Sequence, residues 1–276
     1  MEKFELLVFL AIKGIGSASG IVHTNNSLYI ISDNSTYLYE YQLANNHLNK
    51  IALVENAQQN IQKKEKPDYE SITLKGNKLH LFGSGSTQNR NKTASYHLEK
   101  KKIKNRDLTG LYQTIKKQFK IADDELNIEG TILKGDHLLL FQRGNGANAK
   151  NGIITHNENT NELSFIPISL PKIKHVETSF TDAVLIDDKI YFLASAEDTN
   201  STYHDGEVLG SIIGIIDSKT LELEKTIQIS DKHKFEGLTF YSKNENQIEF
   251  LLCEDNDTDD LNATIYKLIL DSKKQD

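Results

Sequence analysis

One local pattern recurs five times along the chain: an apolar stretch, a short polar turn and a second apolar stretch. The second stretches read SLYIIS (27–32), KLHLFG (78–83), HLLLFQ (137–142), KIYFLA (189–194) and QIEFLL (247–252). The turns before them contain TNN, KGN, KGD, IDD and KNEN. Short apolar runs bounded by such turns are typical of β-hairpins. The pattern therefore predicts a protein built mainly of antiparallel strands.

The spacing of these hairpins defines a repeat. When the turns are aligned, the following residues fall at equivalent positions, separated by 51, 59, 52 and 55 residues: Ser19, Glu70, Glu129, Thr181 and Glu236. Further apolar stretches follow each hairpin, so a unit holds about four strands, and a repeat of that size is the signature of a β-propeller. We expect an all-β, five-bladed β-propeller in which residues 1–276 form one domain.

The last unit is one strand short, and the N-terminal residues can supply that strand. The last unit ends with TIYKLIL (264–270), whereas FELLVFLAI (4–12) precedes the first unit and has no partner there. Pairing the two stretches closes the ring and removes an open sheet edge, which would favour aggregation. The alternative is a signal peptide around LLVFLAI (6–12), but that run is only seven residues long and has Glu2 and Glu5 beside it. We expect the strand and a cytoplasmic protein, with an exported protein as the alternative.

One segment departs from strand periodicity. Apolar residues recur at helical spacing in DLTGLYQTIKKQF (107–119), which predicts a helix inserted into the second unit. A degenerate sixth blade, and so a six-bladed propeller, is the alternative interpretation. No apolar run approaches the ~18–20 residues of a membrane span, and a net charge of −7 does not suit nucleic-acid binding. We expect neither a membrane nor a nucleic acid as partner.

Acidic residues recur where the first strand of a unit begins. That strand lines the central channel of a propeller, so equivalent positions converge on one axis. We predict that Glu70, Glu129, Asp182 and Glu236 form an acidic ring and bind a metal ion, while Ser19 adds no charge. Such carboxylates repel one another unless they take up protons or a cation. Oxygen ligands without a Cys or His cluster favour Ca²⁺, or Mg²⁺ with water. The alternative is structural: each acid accepts backbone hydrogen bonds from the neighbouring blade.

Loops between the second and third strands should add polar groups at the same face, among them Asp33, Glu254 and Asp255. Arg143, in QRGNG, is the candidate for binding an anionic group such as a phosphate. Glu197 and Asp198, in AEDT, are the candidates for a catalytic base. The segment 196–211 that contains them could fold as a lid over the channel or pack on a neighbouring blade.

Several motifs together resemble a family of uncharacterised bacterial β-propeller proteins. They span nearly the whole chain and include SASGI (17–21), KPDYESITL (66–74), LNIEG (126–130), SFTDA (179–183), AEDTNSTYHDGEVLGS (196–211) and KFEGL (234–238). More distantly, the Glu-Gly strand starts are similar to those of esterase-like phytase and gluconolactonase-type propellers. That resemblance implies that the acidic residues bind a divalent cation at the channel mouth. Ser19 departs from the pattern, and no His–acid pair for lactone hydrolysis is evident.

Three functions are compatible with these features. The first is a binding protein that holds a divalent cation and a small or protein ligand at the acidic site. The second is a metal-dependent hydrolase of phosphate esters or lactones, in which the cation activates water. The third is a glycoside hydrolase with paired carboxylates, although the chain contains no Trp. The fold alone does not choose among them.

Overall fold

The computed structural model describes residues 3–199, 206–255 and 260–271. The first twelve strands are β1 Phe4–Lys13, β2 Ala18–Thr24, β3 Ser27–Ser32, β4 Tyr37–Gln42, β5 His47–Ala52, β6 Tyr69–Lys75, β7 Lys78–Gly83, β8 Lys92–His97, β9 Lys102–Asp107, β10 Ile128–Lys134, β11 His137–Gln142 and β12 Gly152–Asn157. The others are β13 Leu163–Pro167, β14 Lys172–Ile173, β15 Val176–Glu177, β16 Ser179–Ile186, β17 Lys189–Asp198, β18 Glu207–Asp217, β19 Leu223–Ser230, β20 Phe235–Lys243, β21 Gln247–Glu254 and β22 Asn262–Asp271. A 3₁₀ helix spans Gln88–Arg90, and helix α1 spans Thr109–Phe119. Residues 200–205 of the predicted lid lie outside the described residues.

Twenty of these strands form five four-stranded antiparallel sheets, and β14 and β15 form a small separate hairpin. The sheets are β2–β5, β6–β9, β10–β13, β16–β19 and β20-β21-β22-β1, which we call blades 1 to 5. The innermost strands β2, β6, β10, β16 and β20 each contact those of the two neighbouring blades. The strands therefore close into a ring around a central channel. The five-bladed propeller is confirmed, and the six-bladed alternative is wrong.

The ring closes where the N-terminal and C-terminal strands pair. Strand β1 runs antiparallel to β22, with Phe4 opposite Leu270 and Lys13 opposite Asn262. Ile12 is 1% exposed and packs in the apolar cluster between blades 5 and 1. The expectation that the N-terminal apolar stretch is a strand is confirmed.

Helix α1 follows blade 2, where helical spacing predicted it. Tyr112 and Ile115 are fully buried in the apolar cluster between blades 2 and 3. The Tyr112 hydroxyl donates a 2.8 Å hydrogen bond to the carbonyl oxygen of Gly83 in β7. The helix thus covers part of the gap between these two blades. Among the described residues, no helix has the length and apolarity that crossing a membrane requires.

The hydrophobic core is divided into five clusters, and each lies between two adjacent blades. In blades 3 and 4, for example, Phe141, Phe180 and Phe192 pack edge to face at centroid distances of 5.2 and 5.0 Å. Burial of such rings is a main source of folding free energy. The core therefore fixes each innermost strand relative to its neighbours. We call the end of the channel at which these innermost strands begin the mouth.

Candidate functional site

A β-bulge interrupts the pairing of the first two strands in every blade, close to the mouth. In each blade the register skips one residue, and the skipped residues are Ser19, Glu70, Glu129, Thr181 and Glu236. These are the same five residues that the sequence repeat aligned. A bulge redirects a side chain out of the regular alternation and is frequent beside functional sites. Three of the five blades therefore present a glutamate at a bulge, and two present a hydroxyl.

Glycine follows two of the bulged glutamates because the innermost strands of neighbouring blades approach closely there. A Cβ atom on Gly130 would lie 3.0 Å from the amide nitrogen of Ala183 in blade 4. A Cβ atom on Gly237 would lie 2.4 Å from Cys253 Sγ and 2.9 Å from the Cα atom of Gly20. The Glu-Gly pairs thus combine a redirected acidic side chain with a backbone that a neighbouring strand can contact.

The hydroxyls of the other two bulges link adjacent blades. Ser19 Oγ of blade 1 donates to the carbonyl oxygen of Tyr69 in blade 2, at 2.5 Å. Thr181 Oγ1 of blade 4 donates to the carbonyl oxygen of Phe235 in blade 5, at 2.6 Å. Each acceptor lies immediately before the bulge of its own blade. These two positions stabilise the ring, whereas the three glutamates add charge.

Blades 3, 4 and 5 contribute the first group of charges, which we call the Arg143 cluster. Arg143 Nη2 lies 2.7 Å from Glu197 Oε2, and Nη1 lies 3.3 Å from Glu129 Oε1. Lys234 Nζ lies 2.9 Å from Glu236 Oε1 and 3.8 Å from Glu197 Oε2. All five side chains are at least nine-tenths buried. Two internal cations therefore already offset part of the negative charge that the sequence predicts.

Blades 1 and 2 contribute the second group, which we call the Lys66 cluster. Lys66 Nζ contacts Asp33 Oδ2 and lies 2.9 Å from Asp68 Oδ1. Arg90 Nη1 lies 2.8 Å from Asp68 Oδ2. Asp33, Asp68 and Glu70 each offer a carboxylate oxygen within 4.8 Å of the other two. Glu70 is 8% exposed and, within the described part of the chain, receives no hydrogen bond on its carboxylate.

The described part of the mouth carries more acids than cations. Within it, the two clusters and the adjoining Asp255 comprise four cations, Lys66, Arg90, Arg143 and Lys234, and seven acids, Asp33, Asp68, Glu70, Glu129, Glu197, Glu236 and Asp255. Burial raises the pKa of Glu70 well above its usual value, and the Asp68 and Glu129 carboxylates raise it further. Burial also raises the pKa of Glu236 to about 7, although Lys234 acts in the opposite direction. An acid excess of this kind favours uptake of a proton or a cation.

Cations hold one acid of the Lys66 cluster in its charged form. Burial alone would raise the pKa of Asp68, but Lys66 and Arg90 outweigh it and hold that pKa below its usual value. The pKa of Lys66 is raised, because Asp68 and Asp33 outweigh the effect of burial. The Asp68 carboxylate is therefore ionised at neutral pH, and its oxygens can act as metal ligands.

Two of the predicted site residues have other contacts. Asp182 accepts hydrogen bonds from the amide nitrogen of Ala183 and from that of Leu238 in blade 5, both at 2.7 Å. Burial raises its pKa well above the usual value, and these two bonds lower it in part. Asp198 is half exposed and lies 3.0 Å from the Nε2 atom of His175. The mouth thus brings together Glu70, Glu129, Glu236, Arg143 and Glu197, whereas Asp182 joins two blades and Asp198 lies at the surface.

Sequence reasoning missed most of the cations and one acid of the mouth. Lys66, Asp68, Arg90 and Lys234 were not identified as site residues. Their signal is local: Lys234 lies two residues before Glu236 in KFEG, and Lys66 lies four residues before Glu70 in KPDYE. A lysine that precedes a bulged glutamate at a blade entry is therefore a marker of this mouth.

Residues 14–270 match the model of a family of unknown function, DUF6929. The chain belongs to this family. The match spans all five blades, in agreement with the resemblance to an uncharacterised family. A comparison with curated proteins gives no match. The more distant resemblance to esterase-like phytase and gluconolactonase-type propellers stays a prediction, and the function of this DUF6929 member has to be argued from its mouth.

Proposed function

We propose that the protein binds a divalent cation at the mouth, on Asp33, Asp68 and Glu70, and that this cation helps to hold a small or protein ligand there. The proposal depends mainly on one observation, which is that Glu70 is buried among acids without a hydrogen-bond donor. The residue is 8% exposed and lies beside two other acids, and its carboxylate receives no hydrogen bond from any described residue. A negative charge on Glu70 is unfavourable there unless a cation pairs with it, so the residue takes up either a proton or a metal ion.

The donor set favours Ca²⁺. Asp33 Oδ1 is buried and, among the described residues, has no hydrogen-bond partner, so it is a second oxygen that a cation would satisfy. Calcium takes carboxylate oxygens at about 2.3–2.6 Å in flexible geometry. Ligand oxygens on opposite sides of such an ion are therefore about 5 Å apart, which is compatible with the 4.8 Å spread of the three residues. The three ligands contain no sulfur or nitrogen donor, as expected for a hard cation.

Lys66 sets the condition for cation binding. Its ammonium group lies against Asp33 and Asp68, so it acts as a counter-ion inside the chain. A cation bound to the same oxygens must displace this ammonium or share the carboxylates with it. We therefore propose a competition between Lys66 and the cation, which reduces the affinity of the site.

The ligand is proposed to lie over the Arg143 cluster. Arg143 Nε is buried without a hydrogen-bond acceptor among the described residues, so this guanidinium keeps one unsatisfied donor, which a ligand or a water molecule would satisfy. Arginine presents its donors in a planar arrangement that suits carboxylate and phosphate groups. An anionic group bound by Arg143 would also approach a cation held by Glu70, because Glu129 lies near both.

Calorimetry tests the cation site. We expect chelator-treated protein to bind one equivalent of Ca²⁺, and we expect Glu70→Gln to abolish that binding. Glu222→Gln is the matched control, because Glu222 is exposed in the turn between β18 and β19 at the end of the blade away from the mouth. Absence of binding, with the same melting temperature in Ca²⁺ and in chelator, would contradict the proposal.

Metal-dependent hydrolysis of phosphate esters or lactones is the second candidate, on the same site. The observation that favours it is the proximity of Arg143 to Glu197, which puts an anion-binding group beside a candidate base. A cation at Glu70 would polarise the substrate or activate water. A panel of phosphate esters, lactones and glycosides, assayed with and without Ca²⁺, tests hydrolysis and the glycosidase prediction together. Turnover that Glu70→Gln removes supports the hydrolase, and no turnover on any substrate leaves the binding function.

A further inference from the structure

A cavity of about 430 Å³ lies between blades 2 and 3, away from the mouth. Its walls come from β6, β7, β8 and β9 on one side and from β10, β11 and β12 on the other. Leu108, just before α1, and Leu111, within it, also line the cavity. None of the cavity residues belongs to the Arg143 or Lys66 cluster. Small-molecule sites commonly have about 300–1,000 Å³, so this cavity can hold a small ligand.

The cavity exists because blade 2 presents polar side chains where other blades present apolar ones. Strand register aligns two rows across blade 2: His80, Ser95 and Lys104 in one, and Phe82, Thr93 and Arg106 in the other. The facing row of blade 3 consists of Leu133, Leu138 and His156. Apolar clusters fill the other four gaps between blades. Here α1 and its cluster fill part of the gap, and the rest stays open.

The charged side chains of the cavity are mostly basic. Lys75, Lys78, Lys104 and Arg106 line it together with two acids, Asp107 and Glu158. Lys75 Nζ donates to the carbonyl oxygen of Gly135 at 2.6 Å. Within the described residues, Lys78, Lys104 and Arg106 form no ion pair or side-chain hydrogen bond. Three cations therefore face one cavity without an acidic partner, in a protein whose net charge is −7.

Two histidines add hydrogen-bonding groups to the same walls. His156 Nδ1 is buried and has no partner among the described residues. Burial lowers the pKa of His80, and Lys78 and Lys75 lower it further, so this ring is neutral at pH 7. Buried polar atoms are normally satisfied by protein, water or ligand. The neutral His80 ring thus adds a hydrogen-bonding group to the cavity beside the basic side chains.

We propose that this cavity binds a small amphipathic anion. The carboxylate or phosphate head lies among Lys78, Lys104 and Arg106, and the apolar portion packs against Leu111, Leu133 and Leu138. Charge-assisted hydrogen bonds from arginine and lysine suit either head group, and burial of an alkyl chain against these leucines adds favourable hydrophobic free energy. The combination selects against ions without an apolar part and against neutral chains.

Calorimetry with octanoate and octyl phosphate tests this inference and distinguishes the two head groups. We expect at least one of them to bind the wild-type protein, and we expect the double variant Lys104→Gln/Arg106→Gln to weaken that binding about tenfold or more. Both residues are exposed on β9, so the double variant should fold, which its melting temperature checks. Lys100→Gln/Lys102→Gln also removes two positive charges, from exposed lysines that do not line the cavity, so it is the charge-matched control and should bind as the wild type does.

Two reference ligands complete the test. Inorganic phosphate lacks the apolar portion and octan-1-ol lacks the charge, so both should bind much more weakly than the preferred amphiphile. Glu70→Gln should leave binding unchanged, because the cavity is separate from the mouth. The inference is overturned if neither amphiphile binds, if octan-1-ol binds equally well, or if the double variant retains wild-type affinity.

Discussion

Arg143 Nη2 donates a 2.7 Å hydrogen bond to Glu197 Oε2, although the two residues belong to different blades and are separated by 54 positions. Arg143 follows β11 and Glu197 lies near the end of β17, so both are on the mouth side of their blades. The contact depends on the repeat, because equivalent loops of neighbouring blades meet at one face of the ring. Both side chains are almost fully buried. Each charge is therefore stabilised by the neighbouring charged side chains and not by solvent.

Removal of Arg143 tests that dependence. Arg143→Met leaves Glu129 and Glu197 buried without their nearest cation, and we expect the free energy of unfolding to fall by about 3–5 kcal/mol. Urea denaturation measures the change. The control is Lys219→Met, which breaks an exposed ion pair with Asp188 and should cost about 0–1 kcal/mol. Equal effects of the two substitutions would contradict the buried network.

The pH dependence of stability tests the acid excess. The pKa of Glu236 is raised to about 7 in the folded protein, so the folded state binds more protons than the unfolded state between about pH 4.5 and 7. The contribution of Glu236 to stability is therefore complete below about pH 4.5 and is lost as the pH rises through about 7. We expect the free energy of unfolding, measured in chelator, to fall over this range. Glu236→Gln should reduce the slope, and an unchanged slope would contradict the raised pKa.

The competition between Lys66 and the cation predicts an unusual gain of affinity. Lys66→Met removes the ammonium group that contacts Asp33 and Asp68, so we expect Ca²⁺ to bind about tenfold more tightly than in the wild type. Without Ca²⁺ the same variant should be less stable, because the two acids lose their counter-ion. Calorimetry and thermal unfolding with and without Ca²⁺ measure both effects. Unchanged or weaker Ca²⁺ binding would show that the ion does not use these oxygens.

The hydroxyl side chains at the bulges of blades 1 and 4 should stabilise the ring, and this can be tested separately from the charged residues. Thr181→Val keeps the shape of the side chain but leaves the carbonyl oxygen of Phe235 without this donor, at a cost of about 1–3 kcal/mol. Thr226→Val on β19 is the control, because Thr226 makes no side-chain hydrogen bond among the described residues. Chemical denaturation compares the two. A loss of stability no greater than that of the control would show that the hydroxyl does not stabilise the ring.

Much of the fold could be predicted because its determinants are local. The alternation of apolar stretches and polar turns identified the hairpins, and their period identified the blades. The same alignment paired the five residues that lie at the bulges. It could do so because the bulge occurs at the same position in every repeat, so equivalent residues stay aligned along the sequence. Pairing of β1 with β22 followed from a strand missing at one end and present at the other.

The site could be predicted only in part, because its contacts are not local. Glu70, Glu129 and Glu236 follow from the repeat, but their counter-ions do not. A lysine such as Lys66 near acids in a loop is usually a solvated residue, and only the meeting of blades 1 and 2 buries it. Asp182 lies one residue after its bulge, and the hydrogen bond from Leu238 depends on the distance between two blades. The sequence does not encode that distance in any short motif.

The central claim is that Asp33, Asp68 and Glu70 hold a divalent cation at the mouth, and a crystal grown in Ca²⁺ tests it most directly. Diffraction data collected at long wavelength locate calcium by its anomalous signal. We expect an anomalous peak at about 2.3–2.6 Å from carboxylate oxygens of these three residues, with the Lys66 ammonium displaced from Asp33. A map at saturating Ca²⁺ with no peak there, and with Lys66 still bridging Asp33 and Asp68, would contradict it.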